Sequence, residues 1–131
     1  MPTFQVNPTG QQVQVDFRVN QPVQVFRAFA IWDTGNILVK ESALGPATPV
    51  GVPDFSFDPT VPLPSILSCL FNCLGPANLV GQPLEITVRI WQPGGANKEI
   101  KLKPALMKSK AGKGGVTVAH RQKSAWIGLI R

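Results

Sequence analysis

Residues 84–106 read LEITVRIWQPGGANKEIKLKPAL, and their alternation decides the fold class. Leu84, Ile86, Val88 and Ile90 fall on one side of an extended chain, and Glu85, Thr87, Arg89 and Trp91 on the other. After Pro93-Gly94-Gly95-Ala96-Asn97 the same period resumes, with Ile100 and Leu102 set between Glu99, Lys101 and Lys103. Successive strand side chains point to opposite faces, so this is a β-hairpin with one dry face and one wet face.

The same period appears upstream. In Gln11–Asn20, Val13, Val15, Phe17 and Val19 alternate with Gln12, Gln14, Asp16, Arg18 and Asn20, which predicts a second half-buried strand. Thr3–Asn7 is a short β-prone start. Val23–Trp32 is apolar on both sides, and Arg27 is its only charge. Its outer set Phe26, Ala28, Ala30 and Trp32 is nearly as apolar as Val25, Phe29 and Ile31, so the strand is covered on both sides or carries a contact surface. Asp33-Thr34-Gly35-Asn36 has the chemistry of a hairpin turn, after which Ile37–Glu41 returns.

Between residues 43 and 64 the prolines at 46, 49, 53, 59, 62 and 64 forbid regular central strands. The brief extended piece Asp54–Asp58 is expected to be an edge strand or part of an excursion over a sheet. Ser65–Leu74 is the single helical candidate. Ser65, Ser68 and Asn72 would form a narrow polar stripe, and Gly75-Pro76 reads as a stop signal. A Lys/Gly-rich loop is expected over Lys108–Gly115, followed by strands at Val116–His120 and Ala125–Ile130.

These signals predict one domain over residues 1–131. It is an all-β antiparallel sandwich, immunoglobulin-like or jelly-roll-like in architecture, with one short helix near 65–74. The Cys…Trp…Cys spacing of true immunoglobulin domains is absent, so the label describes architecture alone.

Charge is scarce and unevenly placed. Charged residues make up 15% of the chain, against about 25% in typical domains, which suggests that other subunits or uncharged polar side chains cover some of the surface. Residues 1–95 hold four basic and six acidic side chains, while residues 96–131 hold nine basic and one acidic, so the net +6 belongs to the last quarter. No stretch approaches the ~18 apolar residues of a membrane helix. MPTFQVNPTG has neither a basic start nor an apolar run, so the expected address is the cytoplasm. Two cysteines without a secretory context read as free thiols.

The chemistry-bearing residues give little support to catalysis. Cys69 and Cys73 could supply only part of a zinc site, which wants about four ligands, and read better as small buried hydrophobes. Asp54, Ser56 and Asp58 could face one side, but two carboxylates are a thin set for Ca²⁺. Gly112-Lys113-Gly114-Gly115 lacks the Ser or Thr and the glycine spacing of a phosphate-binding loop. His120 stands without the partners that nucleophilic catalysis needs. The expectation is a non-enzyme without metal or cofactor.

Three functions fit this sequence. One is a non-catalytic, self-associating module using Phe26, Ala28, Ala30 and Trp32 as contacts. Another is a polyanion or acidic-protein binder built from Arg89, Trp91, Lys101, Lys103, Lys108, Lys110, Lys113, Arg121, Lys123 and Trp126. The last is a carbohydrate or small-ligand binder with Trp32, Trp91 or Trp126 as stacking platforms. A plain solvated lysine face competes with the second.

Overall fold

A computed structural model of the chain describes residues 1–45, 52–111 and 114–131. Ten strands follow in order: β1 (Thr3–Gln5), β2 (Val13–Val19), β3 (Gln24–Asp33), β4 (Leu38–Leu44), β5 (Phe55–Phe57), β6 (Ser65–Pro76), β7 (Ile86–Trp91), β8 (Asn97–Leu102), β9 (Met107–Ala111) and β10 (Val116–Ile130). They form two sheets. The larger is ordered β1-β10-β6-β3-β4, with β9 also paired to β10, and the smaller is ordered β5-β2-β7-β8. All pairs are antiparallel except β1 on β10. The all-β sandwich read from the alternation is the fold observed.

The deciding hairpin is β7–β8. Gln92 N–H donates to Ala96 O at 2.9 Å across its turn, and Gly94 takes a φ of 73°, a conformation that favours glycine. Leu84, Ile86, Val88 and Ile90 are fully buried, as their period requires. The Asp33 turn also forms, with Asp33 Oδ1 accepting from Gly35 N–H and Ile37 N–H at 2.9 and 3.0 Å. Phe55–Phe57 is the edge strand of the smaller sheet, paired to β2.

Three expectations are corrected. Ser65–Leu74 is no helix. It lies within β6, the central strand of the larger sheet, between β3 and β10. Ser65, Leu67, Cys69, Phe71 and Cys73 are buried on its inner side, and Ile66, Ser68, Leu70, Asn72 and Leu74 point outward. The supposed polar stripe is split between the two sides. A short apolar run has no period that separates a buried strand from a buried helix, and cross-strand pairing on both edges decided it. The first half of the expected loop, Lys108–Ala111, is strand, since β9 pairs with β10 from Ala111 to Met107, while Gly114 and Gly115 form a turn and residues 112–113 lie outside the described residues. The two expected C-terminal strands are one continuous β10 of 15 residues, spanning Arg121–Ser124 without a break.

The core lies between the sheets. Phe29 stacks on Phe55 with centroids 5.5 Å apart and meets Phe71 edge-on at 6.1 Å, so rings from both sheets interlock. One ion pair crosses this core. Arg27, inward on β3, holds Asp54 at the head of β5 through Nη2–Oδ1 at 2.6 Å and Nε–Oδ1 at 2.8 Å.

Candidate functional site

Register places the outer side of the larger sheet in rows. Ala43, Ala28, Leu70 and Ser124 stand abreast across β4, β3, β6 and β10, as do Glu41, Ala30, Ser68 and Trp126. The next row is Leu38, Trp32, Ile66 and Gly128, and on the other side lie Phe26, Asn72 and Gln122. Phe26 is 42% exposed, Leu70 40%, Leu38 40%, Trp126 50% and Ile130 39%. These are large side chains in one neighbourhood, which isolated exposed hydrophobes are not.

Formal charge is nearly missing from this face. At the outward positions of β3, β4, β6 and β10, Glu41 is the one Asp, Glu, Lys or Arg. Four of its polar side chains are partnered within the face. Trp32 Nε1–H donates to Ser68 Oγ at 3.1 Å, Ser68 Oγ–H donates to Ala30 O at 3.4 Å, and His120 Nε2 pairs with Asn72 Oδ1. Such a surface costs less to dehydrate than a charged one, because its outward positions carry one formal charge and several of its polar side chains keep a protein partner. Phe26, Ala28, Ala30 and Trp32 all lie on it. Leu38, Ile66, Leu70 and Ile130 escaped sequence reading, Ile66 and Leu70 because the segment was assigned to a helix.

The residues read as a basic and aromatic site are not brought together. Arg89 and Trp91 on β7 and Lys101 on β8 lie on the outer face of the smaller sheet. Trp126 lies on the outer face of the larger sheet, on the far side of the sandwich. On the smaller sheet the charges alternate in sign. Asp16, Arg89 and Glu99 stand abreast, Arg18 meets Glu99 at 3.3 Å, and Lys101 meets Glu85 at 3.6 Å. Burial raises the Asp16 pKa against the opposing pull of Arg89. The Arg89 guanidinium covers the Trp91 ring at 4.2 Å, so one stacking face is already taken. Lys103 is exposed just beyond β8. Lys108 and Lys110 are exposed on β9, and Arg121 and Lys123 are half-buried on the inward side of β10. Lys113 lies outside the described residues.

The remaining chemistry-bearing groups have structural partners. Asp54 is committed to Arg27, and Asp58 Oδ1 accepts from Thr60 N–H and Oγ1–H at 3.0 and 2.6 Å, which lowers its pKa. Cys69 and Cys73 are buried free thiols, pushed up to about 12 and about 11 by burial. Among the described residues no three His, Cys, Asp or Glu side chains gather as a metal site. No helix among them is long and apolar enough to cross a membrane.

Comparison with known proteins adds no relative. No family model matches the chain, and neither a curated protein nor a solved structure matches it significantly.

Proposed function

We propose that this domain is a non-catalytic assembly module that self-associates through the outer face of the larger sheet. The carrying observation is that Phe26, Leu70, Trp126 and Ile130 are exposed together on a face with no lysine or arginine at its outward positions, in a chain of net +6. No outward position of β3, β4, β6 or β10 carries a cation, and Lys110 stands only at the margin, beside Phe26 and His120, so two copies oppose few like charges here. A partner rich in either charge would gain nothing from this face and would lose its own hydration.

Size supports the same occupant. With strands ~4.8 Å apart and ~3.4 Å per residue, four to five strands over seven or eight residues give roughly 500–650 Å² of flat area. Side-chain relief raises that toward the ~800 Å² per partner of a standard interface. The polyanion reading is favoured less, because its residues divide between two outer faces and a strand edge, and three of the chain's acids lie among them. The tryptophan readout tests the proposal. Trp126 emission should shift to shorter wavelength between low and high micromolar protein, and Trp126→Phe should remove the shift. Emission that is constant across that range contradicts the proposal.

A further inference from the structure

The two neighbours of β10 on its free edge leave a gap. β9 pairs as far as His120, opposite Met107, and β1 begins opposite Gly128. Gly128 N–H donates to Pro2 O at 2.8 Å and Ile130 O accepts from Val6 N–H at 2.7 Å, so even-numbered residues of β10 aim their backbone groups at this edge. The β10–β6 register runs unbroken from Val118 to Leu129. The N–H and C=O groups of Gln122, Ser124 and Trp126 therefore face the gap, and among the described residues no backbone group pairs with them. Seven residues, 121–127, lie between the flanking pairs, and the eight steps from His120 to Gly128 span about 27 Å of strand, which admits an inserted segment of about five residues between the ends of β9 and β1.

The walls of the gap differ along its length. At the Trp126 end a cleft of about 340 Å³ is lined by Ile100 and Leu102 of β8 with Ala125, Trp126 and Pro2. At the other end stand Arg121 and Lys123, inward beside the vacancy, with no acid in ion-pair range among the described residues. Arg121 Nε is buried without an acceptor, and its Nη1–H reaches only the Met107 sulfur, at 3.0 Å. The buried Arg121 Nε–H, on a residue flanking the gap, lacks an acceptor that a carboxylate would supply.

We propose that the gap takes an extended segment of a partner protein as an added strand, with acidic side chains against Arg121 and Lys123 and an apolar one against Ala125. Backbone pairing with Gln122, Ser124 and Trp126 supplies the affinity, and the inward side chains supply the choice of partner. This is independent of the sheet-face contact, since it uses the edge of β10 rather than its outer side.

Capped peptides ETETLT and LTETET, one for each strand direction, test it against KTKTLT and LTKTKT. Amide exchange of the intact protein is followed residue by residue. In free protein the amides of Gln122, Ser124 and Trp126 should exchange at least tenfold faster than those of Lys123 and Ala125. One acidic peptide should slow all three tenfold or more. The lysine peptides, and an acidic peptide N-methylated at alternate residues, should bind at least tenfold more weakly. Arg121→Gln with Lys123→Gln should cost a similar factor while leaving the free spectrum otherwise unchanged. Equal binding of acidic and lysine peptides overturns the proposal, and so does protection that grows with protein concentration alone. No protection by any peptide at millimolar concentration also overturns it, leaving the two cations as guards against strand pairing. Binding of a dT12 oligonucleotide that perturbs Arg121 and Lys123 without protecting the three amides would assign the site to polyanions instead.

Discussion

Replacing Asp54 by Ala removes one partner of a buried ion pair, and the structure sets the size of the loss. Both Arg27 and Asp54 side chains are under 5% exposed, at 2% and 4%. Asp54 Oδ1 accepts from Nε and Nη2 at once, while Nη1–H is held by Val25 O at 3.2 Å and the guanidinium lies 4.7 Å from the Phe17 ring centroid. Removing the carboxylate strands two charged N–H groups in a dry core. At ~1.5–3 kcal/mol for each such bond the loss is about 3–5 kcal/mol, in line with measured broken buried pairs. With a urea slope of ~2 kcal/mol per molar, the midpoint should fall by roughly 1.5–2.5 M. The exposed pair Arg18–Glu99, with side chains 73% and 45% exposed, provides the contrast, because Glu99→Ala should cost under ~1 kcal/mol. Replacing both members, Arg27→Met with Asp54→Leu, should recover most of the loss. Urea denaturation followed by far-UV circular dichroism reads all three variants. A midpoint drop for Asp54→Ala no larger than that for Glu99→Ala would refute the reasoning.

Other outcomes follow from local geometry. Gln92 Oε1 accepts from Asn7 N–H at 2.9 Å, and its Nε2 donates to Asn7 O and Gln11 O at 2.8 Å each. Gln92→Leu should therefore cost about 2–4 kcal/mol and loosen residues 7–11, visible as faster amide exchange there. Cys73 lies near pKa 11 against an ordinary 9.0, so its thiolate is about a hundredfold scarcer than that of a free thiol. Native protein should react with a thiol reagent only as fast as it unfolds, and rapid labelling of both thiols would contradict their burial. Asp16 has a raised pKa in the folded state, so its ionised form costs stability at neutral pH. That cost is relieved as pH falls through the folded value toward 3.8. Asp16→Asn should melt higher than wild type at pH 7, with the advantage shrinking in acid; a constant difference would deny the assignment. Asp58 behaves with the opposite sign: its pKa is lowered by Thr60, so its contribution is lost as pH falls through the folded value.

The parts of the fold that alternate with one wet side were legible in the sequence. Val13–Val19 and Leu84–Leu102 announce which side is core because polar residues mark the other. β6 was not legible, and the reason is physical. Its outer residues Ile66, Leu70 and Leu74 are as apolar as its inner ones, so nothing in the order of residues separated strand from helix. The outward face that hid β6 is also the candidate site. Phe26–Trp32 could be suspected alone, but Leu70 and Trp126 join it only through register across β3, β6 and β10. The basic quarter misled in a different way. Lysines close in sequence fall on the inward side of β9 and β10 and on the hairpin's outer face, and Glu85, which meets Lys101, comes from the flank of β7. Arg27 stood out as the lone charge in an apolar strand, yet Asp54 is 27 residues away and only packing could supply it.

Sedimentation equilibrium of the wild-type domain beside Leu70→Glu tests the central claim most directly. Leu70 sits mid-face on the central strand, 40% exposed, so a carboxylate there should leave the fold and its melting temperature nearly unchanged while placing like charges opposite each other in the dimer. Wild type should show a concentration-dependent mass rising toward twice 14.1 kDa, and Leu70→Glu should stay monomeric. A wild-type protein that remains monomeric at several hundred micromolar, or a Leu70→Glu variant that associates as strongly, would contradict the account.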